Sequence, residues 1–104
     1  MTYRPRHAEE KLLRHAALLS VPPLAWHWRT HGGAEVDLVL ERDGRLFPIE
    51  VKAKSTPTGH DARGLRAFRE TYGEARVAPA LLVHAGPTAF RLDERTLALP
   101  WRAV

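Results

Sequence analysis

The sequence contains no cysteine, which excludes disulfide bonds, thiolate metal ligands and a cysteine nucleophile. It has no apolar run approaching the roughly 20 residues needed to span a bilayer, so we expect no membrane partner. The N-terminal stretch MTYRPRHAEE lacks the apolar segment of a signal peptide, and we therefore expect a cytoplasmic protein. No G-x-S-x-G serine elbow and no GxxxxGK[ST] phosphate-binding loop occurs.

The composition is that of one soluble globular domain spanning residues 1–104. Apolar residues make up 44% of the chain and charged residues 27%, which argues against disorder. The formal net charge of +4 favours a polyanionic partner, nucleic acid first. Arginine- and alanine-rich chains are also often basic without such a partner, so the function has to be argued from particular residues.

The pattern predicts a helix, three strands, a second helix and then further strands. Leucines and alanines recur at helical spacing from Pro5 to Leu19, where two following prolines stop the helix. Alternating or wholly apolar stretches predict strands at Ala25–Thr30, Glu35–Glu41, Leu46–Lys54 and Pro79–Ala85, with two short strands in AFRLDERTLALPW. Asp61 is predicted to cap the second helix, which ends at Gly73.

Asp43 and Gly44 form the strongest two-residue hairpin signal in the chain. With these two residues in the loop, one face of the hairpin pairs only apolar residues: Val36 with Val51, Leu38 with Ile49, and Leu40 with Phe47. A slip by one residue would mix the two faces, so this register is favoured. The other face pairs Glu35 with Lys52, Asp37 with Glu50, and Val39 with Pro48.

This register sets two carboxylates, Asp37 and Glu50, at a non-hydrogen-bonded position with Cα atoms about 4.5 Å apart. Opposed like charges destabilise a sheet unless something positive lies between them. Three remedies are open: a proton with a raised pKa, Lys52 as counter-ion, or a bridging divalent cation such as Mg²⁺. The alternative is a solvated outer face on which Glu35 pairs sideways with Lys52.

An acid on one strand followed by Glu-x-Lys on the next resembles the signature of the PD-(D/E)XK nuclease superfamily. Asp37 and Glu50-Val51-Lys52 occupy those places. From Trp26 to the end, the chain is similar to the nuclease-like domain of unknown function at the C-terminus of many prokaryotic AAA+ ATPases. The residues that carry this likeness, in order, are Trp28, Arg29, Gly33, Glu35, Asp37, Glu50 and Lys52. Val36 stands where the motif's name has proline.

The resemblance implies a restriction-endonuclease-like α/β fold, with a central mixed sheet flanked by helices. It implies that Asp37, Glu50 and the Val51 carbonyl bind Mg²⁺ or Mn²⁺ and that Lys52 positions the water that hydrolyses DNA. Such enzymes often add an acid from the first helix, for which Glu10 is preferred over Glu9. The alternative is a catalytically silent module that binds nucleic acid or regulates an AAA+ ATPase domain.

Three arginines are further candidates for binding nucleic acid. Arg29 is placed to contact a phosphate or to pair with Glu35. Arg63 and Arg66, together with Arg69, are expected on the polar face of the second helix, where they track a nucleic-acid backbone or form a solvated face. In the solvated alternative, Arg66 pairs with Glu70.

Two tryptophans can likewise be interpreted as structural residues or as residues that bind nucleic acid. Trp26 and Trp28 are expected to be buried under the first helix, and stacking on bases is the alternative.

Overall fold

The computed structural model describes residues 24–104. Its elements, in chain order, are β1 (Leu24–Arg29), β2 (Glu35–Arg42), β3 (Arg45–Val51), α1 (Arg63–Tyr72), β4 (Ala80–His84), β5 (Phe90–Asp93) and β6 (Thr96–Pro100). Short 3₁₀ turns span Gly59–Ala62 and Trp101–Ala103. The helix predicted from Pro5 to Leu19, with Glu9 and Glu10, lies outside the described residues.

The strands form one mixed sheet in the order β1-β2-β3-β4-β6-β5. The first three strands are an antiparallel meander, β3, β4 and β6 run parallel, and β5 returns antiparallel to β6. The α/β class and the mixed sheet are thereby confirmed. In residues 24–104, α1 is the one α-helix, and none of the helical segments is long and apolar enough to cross a membrane.

The β2–β3 hairpin has the predicted turn and register. Asp43 and Gly44 adopt φ values of 54° and 77°, which is the conformation of a type I′ turn. The ladder runs from Arg42 opposite Arg45 to Leu38 opposite Ile49, as predicted. It ends there, however, and β3 stops at Val51 instead of continuing to Lys54.

A β-bulge in β2 changes which side chains face the helix. Trp26 pairs with Val39 but Trp28 pairs with Val36, so β2 contains one extra residue opposite β1. The bulge moves Val36 into the core cluster of Val39, whereas Leu38 belongs to the cluster on the opposite face. The predicted placement of Val36 beside Leu38 is therefore wrong. Bulges re-aim side chains and are common next to functional sites.

Helix α1 covers one face of the sheet. Leu65 and Phe68 are fully buried there, and the rings of Trp28 and Phe68 meet edge-on with centroids 5.3 Å apart. Trp26 contacts Tyr72 in the same way at 6.2 Å. Both tryptophans thus pack on α1, while the first helix, under which they were predicted, lies outside the described residues.

The opposite face of the sheet carries a second cluster built on Leu38, Ile49, Val51 and Val83. Trp101 and Val104, at and just after the C-terminal 3₁₀ turn, pack against it.

The start of α1 differs from the prediction, whereas its end agrees. Asp61 does not cap the α-helix, because the 3₁₀ turn intervenes and α1 begins at Arg63. Asp61 instead accepts a hydrogen bond of 2.8 Å from the backbone amide of Thr58. At the other end, Gly73 adopts a φ of 94° and its amide bonds to the carbonyl of Arg69, as a C-terminal glycine is expected to do.

Candidate functional site

The two acids of the hairpin come together where β2 and β3 separate. The backbone amide of Asp37 donates to Oε1 of Glu50 at 3.2 Å, and the amide of Val51 donates to Oδ2 of Asp37 at 2.8 Å. Beyond this point the amide of Lys52 bonds to the carbonyl of Val83, so the chain follows β4. The acids are neighbours as predicted, but side-chain bonds replace the predicted ladder pair.

Glu50 is almost completely buried, with 4% of its surface exposed. Burial, together with the hydrogen bond and the negative charge of Asp37, raises the pKa of Glu50 to about 9. The positive charge of Lys52 acts in the opposite direction but does not cancel these effects. At neutral pH and without a bound cation, Glu50 therefore carries a proton.

Glu50 forms part of the wall of a small pocket of about 50 Å³. The pocket lies between the β1–β2 turn, the end of β3 and the start of α1, and its lining residues are Gly33, Ala34, Glu35, Glu50, Lys52, Asp61, Arg63 and Gly64. Lys52 lines this wall together with Glu50, as predicted, although it lies just beyond the end of β3. Asp37 does not line the pocket. It is connected to the pocket through Glu50, whose carboxyl accepts a hydrogen bond from the Asp37 amide.

Close packing of two backbones sets one side of the pocket. A Cβ atom added to Gly64 would lie 2.1 Å from the carbonyl oxygen of Glu35, which is far inside van der Waals contact. Only glycine therefore lets the first turn of α1 approach the start of β2 this closely.

The other two acids on the wall already have cationic partners. Glu35 is 3.1 Å from Arg29, so the ion pair that was one of the two alternatives for Arg29 is present. Asp61 is 3.0 Å from the ammonium of Lys54. Burial acts to raise the pKa of Asp61, but the backbone amide of Thr58 and the charge of Lys54 outweigh it and hold the pKa below its usual value.

The carboxylate pair fits a single divalent cation. Mg²⁺ is usually held by one or two carboxylates and keeps several water ligands, so Asp37, Glu50 and the Val51 carbonyl are the groups that would hold it. Burial and the neighbouring Asp37 hold the proton on Glu50, and a cation between the two acids would oppose both effects. Within residues 24–104, no group of three histidine, aspartate or glutamate side chains forms a metal centre. The predicted third acid, Glu10, lies outside this range.

The predicted arginines separate into different environments. Arg63 lines the pocket, and its Nη1 donates to the carbonyl of His60 at 3.0 Å. Arg66 lies away from the pocket wall, and its guanidinium is 3.8 Å from the carboxylate of Asp93. Arg69 is not on a solvated face: it is buried and donates to the carbonyl of Arg95.

Of the eight wall residues, only Glu50, Lys52 and Arg63 were predicted as site residues. Asp61 and Gly64 are the two of the remaining five that shape the entry to α1. Asp61 was read only as a helix cap, and Gly64 was read only as one residue of a helix. A glycine in the first turn of a predicted helix is the signal that was available, because glycine there costs about 1 kcal/mol relative to alanine and so calls for a packing reason.

Fold and site together define a small mixed α/β domain in which a buried glutamate, a half-buried aspartate and an adjacent lysine lie at the open end of a hairpin. Residues 8–104 match the family described as Domain of unknown function (DUF4143), and the chain belongs to that family, which is found with AAA ATPases in bacteria. The predicted likeness to an ATPase-linked domain of unknown function is thereby confirmed. The placement in the PD-(D/E)XK superfamily remains a prediction.

Among curated proteins, the chain is 35% identical over 85 residues to uncharacterised proteins of Mycobacterium bovis and Mycobacterium tuberculosis. The match covers 82% of this chain but 18% of each relative. The chain thus spans about a fifth of the length of the curated relatives it matches. No solved structure matches it.

Proposed function

We propose that this domain hydrolyses phosphodiester bonds of DNA with Mg²⁺ or Mn²⁺ as cofactor, as a member of the PD-(D/E)XK superfamily with a restriction-endonuclease-like fold. The observation that carries the proposal is the contact between the Asp37 and Glu50 carboxyl groups, with Lys52 on the same pocket wall as Glu50. Opposed acids need a proton or a cation between them, and a shared cation is the remedy that would use both carboxylates together with the lysine beside them.

Each of the three residues has a distinct role in this proposal. Asp37 and Glu50, with the Val51 carbonyl, would hold the cation, and Glu50 would serve as a ligand once its proton is lost to solvent. When bound, Mg²⁺ supplies positive charge for the phosphodiester and its leaving oxygen. Lys52 donates hydrogen bonds from its ammonium group and thereby orients the attacking water beside Glu50. The net charge of +4 supports a polyanionic substrate.

The test is incubation of labelled DNA with purified protein and Mg²⁺ or Mn²⁺, with EDTA as the blank. Asp37→Asn removes a cation ligand and Lys52→Met removes the group that orients the water, and each is expected to lower the cleavage rate by about 100-fold or more. Glu94→Gln is the matched control, because Glu94 is an exposed acid away from the pocket. No metal-dependent cleavage by the wild type, or equal rates in all variants, would refute the proposal.

One observation favours a second candidate, a catalytically silent module that binds nucleic acid or regulates an AAA+ ATPase domain. Each acid already accepts a backbone hydrogen bond from the site itself, so the pair also serves to join β2 to β3. The short span relative to the curated relatives supports a domain that acts beside another one. Its test is the ATPase rate of a longer family member with and without this domain; an unchanged rate argues against regulation.

A further inference from the structure

Two cations on the pocket wall are available to a ligand. Lys52 and Arg63 have no carboxylate within ion-pair distance among residues 24–104. The acids beside them are neutralised from elsewhere: Glu35 by Arg29, and Asp61 by Lys54. Neither Arg29 nor Lys54 lines the pocket, so the two cations that do line it are Lys52 and Arg63. Their positive charges can interact with an anion in the pocket.

The size of the pocket limits that anion. A volume of about 50 Å³ is far below the roughly 300 Å³ at which ordinary small-molecule sites begin. The space accommodates a phosphate group but not a nucleobase with its sugar. The polar lining, with no large apolar side chain among its eight residues, also offers no surface on which a base would stack.

The guanidinium of Arg63 is positioned for this role. The side chain is exposed at the start of α1, where one of its five N–H donors bonds to the carbonyl of His60 and the others are left for a ligand. One guanidinium group can bind two oxygens of the same phosphate through two parallel hydrogen bonds, whereas an ammonium group acts as a point charge. Arg63 and Lys52 therefore complement each other around a single phosphate.

We infer that the pocket is a single-phosphate subsite, in which Arg63 and Lys52 bind the oxygens of one backbone phosphate while the bases stay outside. The inference rests on the proposed function only in taking nucleic acid as the ligand. It adds that Arg63, and not Arg66 or Arg29, is the arginine that anchors the strand. Recognition through phosphate alone also implies affinity that depends on salt and not on base sequence.

Binding is tested without cleavage by fluorescence anisotropy of a labelled single-stranded oligonucleotide in EDTA. Arg63→Gln is expected to raise Kd about tenfold, because charge-assisted hydrogen bonds contribute more than ordinary ones. It should also lower the slope of log Kd against log salt by about 0.7, the value for one phosphate contact on a single strand. Arg66→Gln, on the same helix but outside the pocket, is the control and should stay within twofold.

A second measurement uses inorganic phosphate as the probe. Amide resonances of Lys52 and Gly64 should shift saturably with phosphate in the wild type and in Arg66→Gln, and not in Arg63→Gln. Equal effects of the two arginine substitutions on Kd, or no saturable shift, would overturn the subsite.

A parallel cleavage assay with Mn²⁺ separates the two proposals. If Arg63→Gln binds the oligonucleotide more weakly and the wild type does not cleave DNA, the phosphate subsite is supported and the nuclease proposal is refuted. If the wild type cleaves DNA and Arg63→Gln has the same KM, the nuclease proposal is supported and the subsite is refuted.

Discussion

Asp37 and Glu50 bridge the two strands of a hairpin where its regular ladder has ended. The amide of Asp37 bonds to the carboxyl of Glu50, and the carboxyl of Asp37 bonds to the amide of Val51. The same two groups that form the candidate cation site therefore also hold β2 and β3 together. Because of this double role, a change in the protonation of Glu50 or in the side chain of Asp37 should change the free energy of unfolding.

Glu50 should make the protein less stable as the pH rises. Its folded-state pKa, about 9, lies above the ordinary value of 4.5, so the stabilisation is complete below 4.5 and is lost as the pH rises toward 9. Unfolding in EDTA then releases a proton, and the slope approaches the one-proton limit of about 1.4 kcal/mol per pH unit. The measurement is urea unfolding between pH 5 and 9, followed by circular dichroism.

Glu50→Gln is the control for this slope, since the amide mimics the protonated acid. The variant should match the wild type near pH 5 and exceed its stability near pH 9. Parallel pH profiles of the two proteins would contradict a proton on Glu50.

Asp37 should contribute through its hydrogen bond more than through its charge. Asp37→Asn removes the charge but keeps an oxygen acceptor for the amide of Val51, whereas Asp37→Ala leaves that amide without its partner. We expect Asp37→Ala to be less stable than Asp37→Asn by about 1–3 kcal/mol, the cost of an unsatisfied buried donor. Thermal unfolding measures the difference, and equal melting temperatures would mean that the bond to Val51 is not needed.

The hairpin was predictable because its determinants are local. Asp43-Gly44 specifies a type I′ turn, and the turn fixes the register of every pair up to Leu38 and Ile49. The acid pair and its neighbouring lysine followed from counting outward from that turn. Such reasoning works as long as the strands keep their alternation.

The rest depends on contacts between distant segments. The bulge that moves Val36 to the face of Val39 arises from pairing with β1, which the hairpin sequence does not encode. The pocket exists because Gly64 meets the backbone of Glu35 across 29 positions of sequence. Neither hydrophobic periodicity nor turn residues can predict contacts between segments so far apart in the sequence.

Gly64 should tolerate no side chain. The added methyl of Gly64→Ala would collide with the carbonyl oxygen of Glu35, and overpacking of this kind typically costs about 1–3 kcal/mol. Gly59→Ala is the matched control, because nothing lies within 4 Å of its added Cβ atom. Chemical denaturation should show a clear loss of stability in the first variant and little change in the second; equal stabilities would mean that α1 shifts freely away from β2.

Asp61 should stabilise the loop before α1 in the opposite pH range from Glu50. Its folded-state pKa lies below the ordinary value of 3.8, so its stabilisation is present above that value and is lost as the pH falls below it. Asp61→Asn is therefore expected to be less stable than the wild type at pH 7, with the difference shrinking below about pH 4. A difference that stays constant across this range would show that Asp61 acts through packing alone.

Divalent cations should stabilise the wild type through the acid pair. An ion that binds only the folded state raises stability by RT ln(1 + [L]/Kd), which is about 2.7 kcal/mol at 100 times Kd. Because Glu50 must give up its proton to bind the ion, the melting-temperature gain with Mg²⁺ or Mn²⁺ should grow between pH 6 and 9. Differential scanning fluorimetry of the wild type, Glu50→Gln and Asp37→Asn tests this, with Glu94→Gln as the control acid. A gain that persists undiminished in Glu50→Gln and Asp37→Asn would place the cation elsewhere and remove the basis of metal-dependent hydrolysis at this site.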